Sequence, residues 1–182
     1  MSATPSGHVF WFFGLSGAGK STLAGALAEG WRARKLPVLT LDGDELRQGL
    51  CQGLGFSEGE RAENLRRAAE TAKLGVRSGL IVVAAFITPL ESHRRLVTGI
   101  IGRECIQLIH LSAPLAICRL RDAKGLYARA DAGQVPSMTG LSSPFDPPGE
   151  VDLSIDTSLV SVESALRLLH EFTAPRLPRP EP

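Results

Sequence analysis

The sequence predicts a single α/β domain, doubly wound around a mostly parallel five-stranded sheet with helices on both faces. Three observations carry this. Five short apolar runs, "HVFWFF" (8–13), "PVLTLD" (37–42), "GLIVVAAF" (79–86), "CIQLIHL" (105–111) and the weaker "VDLSI" (151–155), are separated by stretches of helical periodicity. Strands that alternate with helices build a parallel sheet covered on both faces. The runs are continuously apolar rather than alternating, as burial on both faces requires. The chain has 182 residues, enough for one domain with its own core.

The elements follow in order. Between the first two runs, Lys20 to Arg34 places Leu23, Ala26, Leu27 and Trp31 at helical spacing. Between the second and third, Glu58 to Val76 does the same with Ala62, Leu65, Ala69, Ala72 and Val76. Further helices are expected at 90–101, 114–121 and 161–172. The stretch "RDAKGLYARADAGQVPSMTG" (121–140) fits neither period. A segment this long without regular structure is usually a lid, a binding loop or a disordered linker. A further strand and helix follow it inside the same domain, which argues against a linker. The domain is therefore expected over 1–174, with a mobile lid at about 121–148 and a frayed, proline-rich tail at 175–182.

Composition narrows the partners. Apolar residues make up 43%, charged residues 21%, and the formal net charge is +1. No global field points to nucleic acid or membrane, so any anion site must be local. The run "GLIVVAAFI" (79–87) is too short to span a bilayer. The N-terminus shows no basic segment followed by an apolar region, so no secretory signal is expected. Cys51, Cys105 and Cys118 are odd in number without CxxC spacing. Cys105 and Cys118 sit in apolar surroundings and read as buried thiols of a cytoplasmic protein.

The first chemistry lies in "GLSGAGKST" (14–22), between a strand and a helix. Gly14, Gly19, Lys20 and Ser21 fit G-x-x-x-x-G-K-[ST]. Glycines let successive N–H groups ring a phosphate, and the helix N-terminus adds partial positive charge. The nucleotide-binding set is Gly14, Leu15, Ser16, Gly17, Ala18, Gly19, Lys20, Ser21 and Thr22. Lys20 would reach the β- and γ-phosphates of ATP, and Ser21 would hold Mg²⁺.

The second run ends in Asp42-Gly43-Asp44, at the strand end where ligands of open α/β sheets bind. Asp42 joins Ser21 as a candidate Mg²⁺ ligand, while Asp44 would orient an acceptor hydroxyl. Alternatively, Asp44 only caps a helix beginning at Glu45. Downstream, "GFSEGERAENLRRAAE" (55–70) starts a helix at about Ser57. Arg61 and Asn64 share a face of it. With Arg47 they could meet an anionic acceptor, or simply form a solvated charged face. Phe56 is either a hydrophobic staple or a stacking platform.

A kinase must exclude water from the phosphoryl group, which needs a mobile basic cover. The segment with Arg121, Lys124 and Arg129 supplies one. At this point the chain resembles the adenylylsulfate kinases (APS kinases), from about Val9 to Phe172. The resemblance rests on "GLSGAGKST", "LDGDELRQGL", "LGFSEGERAENLRR", "FITP", "RDAKGLYARADAG" and "TGLSSPFDPP" together. It implies a P-loop kinase that transfers the γ-phosphoryl of MgATP to the 3′-hydroxyl of adenosine 5′-phosphosulfate (APS), giving PAPS. It implies acceptor contacts from Asp44, Arg47, Phe56, Arg61, Asn64, Ile87, Thr88, Lys124, Ser137 and Met138. The catalytic set is then Lys20, Asp44, Thr88, Arg121 and Lys124. A homodimer is implied, supplied with APS by a separate ATP sulfurylase.

Four positions depart from the family pattern: Glu45 for Asn, Thr88 for Ser, Met138 for one of two phenylalanines that sandwich the acceptor adenine, and Asp131 for a basic residue. On this reading Glu45 and Met138 lie beside the acceptor. Restoring Phe at 138 would then tighten APS by about 2- to 10-fold, from the roughly 0.5–1.5 kcal/mol of an aromatic pair. Two rivals remain at the level of residues: a P-loop kinase of the same fold with another nucleotide or a sugar as acceptor, and a regulatory subunit that binds ATP without turnover.

Overall fold

The structure, a computed structural model, describes residues 7–135 and 137–177. Pro136 of the expected lid and residues 178–182 of the expected tail lie outside that set. Five strands, β1 (His8–Phe13), β2 (Val38–Asp42), β3 (Ile81–Ala85), β4 (Ile106–Ser112) and β5 (Leu153–Asp156), form one sheet in the order β2-β3-β1-β4-β5. Every pairing is parallel. The mostly parallel sheet of the sequence reading is thus wholly parallel.

The inner strands β1, β3 and most of β4 are buried on both faces, while the edge strands β2 and β5 are mostly half-buried. Along β1, Phe10 and Phe12 join one core with α1 (Lys20–Ala33) and α7 (Val162–Thr173), through Leu27, Trp31, Ala165 and Leu169. Val9, Trp11 and Phe13 point the other way, into a second core with α3 (Glu58–Arg77) and α4 (Glu91–Ile101). The period-two alternation of strand side chains distributes one run between two cores. The order turns about β1, which has β3 on one side and β4 on the other. The crevice at the carboxyl ends of the strands opens there.

Among the described residues there are also three short α-helices, α2 (Gly43–Gln48), α5 (Leu115–Arg121) and α6 (Leu126–Asp131), and a 3₁₀ turn at Arg103–Cys105. Helix α6 is a correction, because the segment 121–140 is not devoid of regular structure. Gly125 turns the chain at φ 63°. The Asp122 carboxylate then accepts from the amides of Tyr127 (3.1 Å) and Ala128 (3.0 Å). Tyr127 is buried against the first core. The first residues of the expected tail are not frayed. Ala174–Arg176 is a 3₁₀ turn and Leu177 packs on the first core. All three cysteines are free thiols; Cys51 and Cys118 are buried and Cys105 is half-buried.

Candidate active site

The loop after β1 is shaped by close backbone approach. A Cβ on Gly14 (φ 148°) would lie 2.3 Å from the Leu111 carbonyl oxygen, and one on Gly17 (φ 79°) would lie 2.7 Å from that of Cys118. Only glycine fits at either position. Helix α1 starts at Lys20 with no side-chain cap and no acid in its first turn. Its leading amides are therefore available to an anion. Ser16, Gly17, Gly19, Lys20, Ser21 and Thr22 line a cavity of about 620 Å³. Gly14, Leu15 and Ala18, expected to bind nucleotide, do not line it. The Gly14 amide donates to Ile87 (3.3 Å) and the Ala18 amide to Leu15 (3.2 Å), so both build the loop instead.

Lys20 folds back on this loop. Its Nζ donates to the carbonyls of Gly14 (3.0 Å) and Leu15 (2.8 Å). Burial, and then the nearby Lys124 charge, lowers its pKa from the ordinary 10.5 to about 8. A buried ammonium held only by carbonyls favours an incoming anion.

Asp42 ends β2 and caps α2. Its Oδ1 accepts from the Asp44 amide (2.9 Å) while its Oδ2 accepts from the Ser21 hydroxyl (2.7 Å). The capping alternative therefore falls on Asp42, not Asp44, and the helix begins at Gly43 rather than Glu45. Ser21 and Asp42 present two hard oxygens side by side. That set fits a Mg²⁺ that draws its remaining ligands from phosphate and water. Asp44 is left exposed at the cavity and forms an ion pair with Lys124.

Arg47, Phe56, Arg61 and Asn64 converge on the same cavity, with Ile87, Thr88 and Pro89 as its facing wall. The Ser57–Glu60 capping box starts α3 where the sequence places it. Arg47 donates to the carbonyls of Leu54 (3.0 Å) and Gly55 (2.9 Å), which fixes the preceding loop. Its guanidinium lies 4.3 Å from the Phe56 ring centre, and that of Arg61 lies 5.5 Å away. Phe56 itself remains 54% exposed, so it is a platform and not a staple. Burial lowers the pKa of both arginines, and the Arg47 charge adds to the effect at Arg61. Asn64 is buried with its Oδ1 unpartnered. Such an atom calls for a ligand.

The segment after α5 roofs the cavity. Arg121 donates to Gly17 (3.2 Å) and to the hydroxyl (3.0 Å) and carbonyl (2.6 Å) of Thr157. The Tyr127 hydroxyl donates to Ser16 (2.9 Å). Arg121 and Lys124 line the cavity, while Arg129 does not. The sequence reading missed Thr157 and Tyr127. Thr157 follows β5 at the carboxyl edge of the sheet, a position that could have flagged it.

Some expected site residues lie elsewhere. Thr88 borders the cavity but is 1% exposed, and its hydroxyl oxygen accepts from the Trp11 indole N–H (2.9 Å). That contact belongs to a wall rather than to a reacting group. Met138 is buried in the first core and Ser137 meets Arg61 through its carbonyl; neither lines the cavity. Thr139, one residue on, accepts from Arg61 (3.1 Å). Glu45 is exposed and outside the cavity wall. The departures at 45 and 138 therefore do not line this cavity.

Comparison with known proteins places the chain in a family. The family model for adenylylsulphate kinase matches residues 6–156. An adenylyl-sulfate kinase of Bacteroides fragilis is 46% identical over 175 residues, covering 96% of this chain and 87% of the relative. One from Shewanella amazonensis is 46% identical over 166 residues, covering 91% and 84%. The solved structure of the Mycobacterium tuberculosis APS kinase in complex with AMPPNP and APS superposes with a TM-score of 0.89 at 36% identity, covering 93% of this chain and 99% of that one. With a phosphate loop, a strand-end carboxylate pair and a basic aromatic pocket on one cavity, and with these relatives, the chain belongs to the adenylylsulphate kinase family.

Proposed function

We propose that this chain transfers the γ-phosphoryl group of MgATP to the 3′-hydroxyl of adenosine 5′-phosphosulfate. The observation that carries the reading is the continuity of one cavity from the amides of Gly19–Ser21 to Arg47, Phe56, Arg61 and Asn64. The loop amides cradle the β- and γ-phosphates, and Lys20 leaves the carbonyls of Gly14 and Leu15 to meet them. Ser21 and Asp42 would hold Mg²⁺, which when bound neutralises charge on the same phosphates. The free face of Phe56 takes the acceptor base, Asn64 Oδ1 a donor on the acceptor, and the two arginines its anionic end.

Asp44 orients the acceptor hydroxyl and takes its proton. Its present partner Lys124 exchanges the carboxylate for the transferring phosphoryl group, with Arg121 beside it. Thr88 and Ile87 shape the acceptor wall, and in-line transfer needs no covalent step on Thr88. The 121–148 segment acts as the lid, tied to the phosphate loop through Arg121 and Tyr127. We also carry over a homodimer, a cytoplasmic location suited to three free thiols, and a separate ATP sulfurylase as the source of APS. Light scattering reads the first of these directly.

The test is ATP consumption by the purified chain with and without APS. Stoichiometric ADP and PAPS on addition of APS support the reading. Turnover with another nucleotide or a sugar, and none with APS, replaces the acceptor; no turnover with any acceptor leaves a binding protein.

A further inference from the structure

Within "TGLSSPFDPP" (139–148), Thr139 meets Arg61, and the far end of the segment lies away from the cavity. In the structure its end meets Arg94, a charged residue only 2% exposed. A buried guanidinium with five N–H donors is stable only if each finds an acceptor. Here all five do. Nε donates to Glu91 Oε2 (3.0 Å). One terminal nitrogen donates to the carbonyls of Thr88 (3.2 Å) and Pro89 (3.1 Å). The other donates to those of Asp146 (3.1 Å) and Pro147 (3.4 Å). The guanidinium carbon lies 5.3 Å from the Phe13 ring centre and 5.9 Å from that of Phe145. Asp146 reinforces the tie. Its amide donates to Pro89 (2.9 Å), and its Oδ2 accepts from the Glu91 amide (2.9 Å). Helix α4 has no side-chain cap of its own at Leu90, so a residue 55 positions away in sequence caps it.

What this network holds is strained. Thr88 sits at φ 43°, a region that a β-branched residue rarely occupies. Such a conformation persists only where its surroundings over-determine it. Trp11 holds the Thr88 hydroxyl and Arg94 its carbonyl. The neighbouring Ile87 carbonyl receives the first glycine of the phosphate loop. One buried side chain therefore joins the acceptor wall to the far end of the segment that roofs the site.

We propose that Arg94, with Asp146, is a positioning residue: it fixes the acceptor wall at Ile87–Pro89 and anchors the trailing end of the lid, so that the lid closes against a stationary hinge at 145–147. This rests on the proposed reaction for its kinetic readout only. A lysine has three donors on a flexible stem and cannot reproduce the fork. Misplacing a reacting group by about 1 Å can cost on the order of 10²-fold. Arg94→Lys and Asp146→Ala are therefore expected to lower kcat/KM for APS by about 10- to 100-fold while the KM for ATP stays within about twofold. A purely structural role would lower kcat in step with the loss of folded protein and leave the activity per folded molecule unchanged.

Hydrogen exchange on the unaltered protein supplies a test that needs no variant and no assigned acceptor. The amides of Asp146 and Glu91 are expected to exchange slowly in the free protein, while those of 121–135 exchange fast. A KM for ATP raised as much as that for APS, no loss per folded molecule in either variant, or exchange at Asp146 as fast as in the lid would overturn the proposal. If the unaltered enzyme does not phosphorylate APS at all, the proposed reaction fails and the exchange pattern still decides the anchor.

Discussion

The charge state of Lys20 can be made to report on the phosphate site. In the free protein burial brings its pKa down to about 8. A bound triphosphate places negative charge against the ammonium and raises that value again. The complex then binds more protons than the free protein, so nucleotide affinity must fall as pH rises through 8. With a pKa of about 8, roughly nine-tenths of the free protein carries the charge at pH 7 and about one-tenth at pH 9. Affinity for a non-hydrolysable ATP analogue with Mg²⁺ is therefore expected to drop about tenfold across that window, near 1.4 kcal/mol.

The other resolved shifts leave the window clear. Burial, and then the Arg176 charge, holds His8 near 4. Burial also raises all three thiols. The Lys124 ammonium, although partly desolvated, is held up by Asp44. Titration calorimetry in buffers of different ionisation enthalpy should show uptake of about half a proton at pH 8. Lys20→Met should bind weakly, with no slope between pH 7 and 9. A flat or rising affinity in the unaltered protein, or the same slope in Lys20→Met, would refute the reasoning.

Four further outcomes follow from the geometry. Lys20→Ala should reduce turnover at saturating substrates by on the order of 10²-fold or more, as for other preorganised electrostatic contacts; near-normal turnover would sink the phosphate-loop mechanism. Amides of 121–135 should exchange quickly without ligands and become protected by an ATP analogue together with APS; protection without ligand would make the segment fixed architecture. Met138→Phe should now destabilise rather than tighten APS, since overpacking a core costs about 1–3 kcal/mol, and calorimetry should show a fall of about 2–4 °C in Tm for each kcal/mol. Phe56→Leu should raise the KM for APS by roughly 5- to 150-fold, from the 1–3 kcal/mol of base stacking, and leave that for ATP unchanged.

The parts legible in the sequence were those whose cause is local. The five apolar runs anticipate the five strands because burial on both faces of the inner strands keeps polar positions few within them. The loop 14–22 is legible because its glycines, lysine and serine act within one turn. The start of α3 is legible because Ser57 and Glu60 cap each other across three residues. What escaped depends on distant partners. Helix α6 has six residues and one buried side chain, too little to show a period. It stands because Asp122 caps it and Tyr127 reaches Ser16. Arg94 looks like any charged residue of an amphipathic helix until Asp146 and Pro147 are folded over it. Asp44 looked like the cap because it precedes Glu45; the backbone turns one residue earlier and gives the task to Asp42.

The departures at 45 and 138 show where reading position within a motif as position within a site goes wrong. A run of sequence that reaches a pocket does so with alternate residues. At 137–139 the chain offers Arg61 a carbonyl from Ser137 and a hydroxyl from Thr139, and the side chain between them turns into the core. At 42–47 the first turn of α2 presents Asp44 and Arg47 to the cavity, three apart on one face, and leaves Glu45 on the outer surface. The added charge of Glu45 therefore faces water, where it costs the anionic acceptor little. On the proposed reading the aromatic contribution to the acceptor pocket falls to Phe56, with Arg47 against its ring and 54% of the residue still exposed. A guanidinium stacked on the ring stiffens that platform and adds positive charge beside an anionic nucleotide. That arrangement suits an acceptor with both a base and an anionic group.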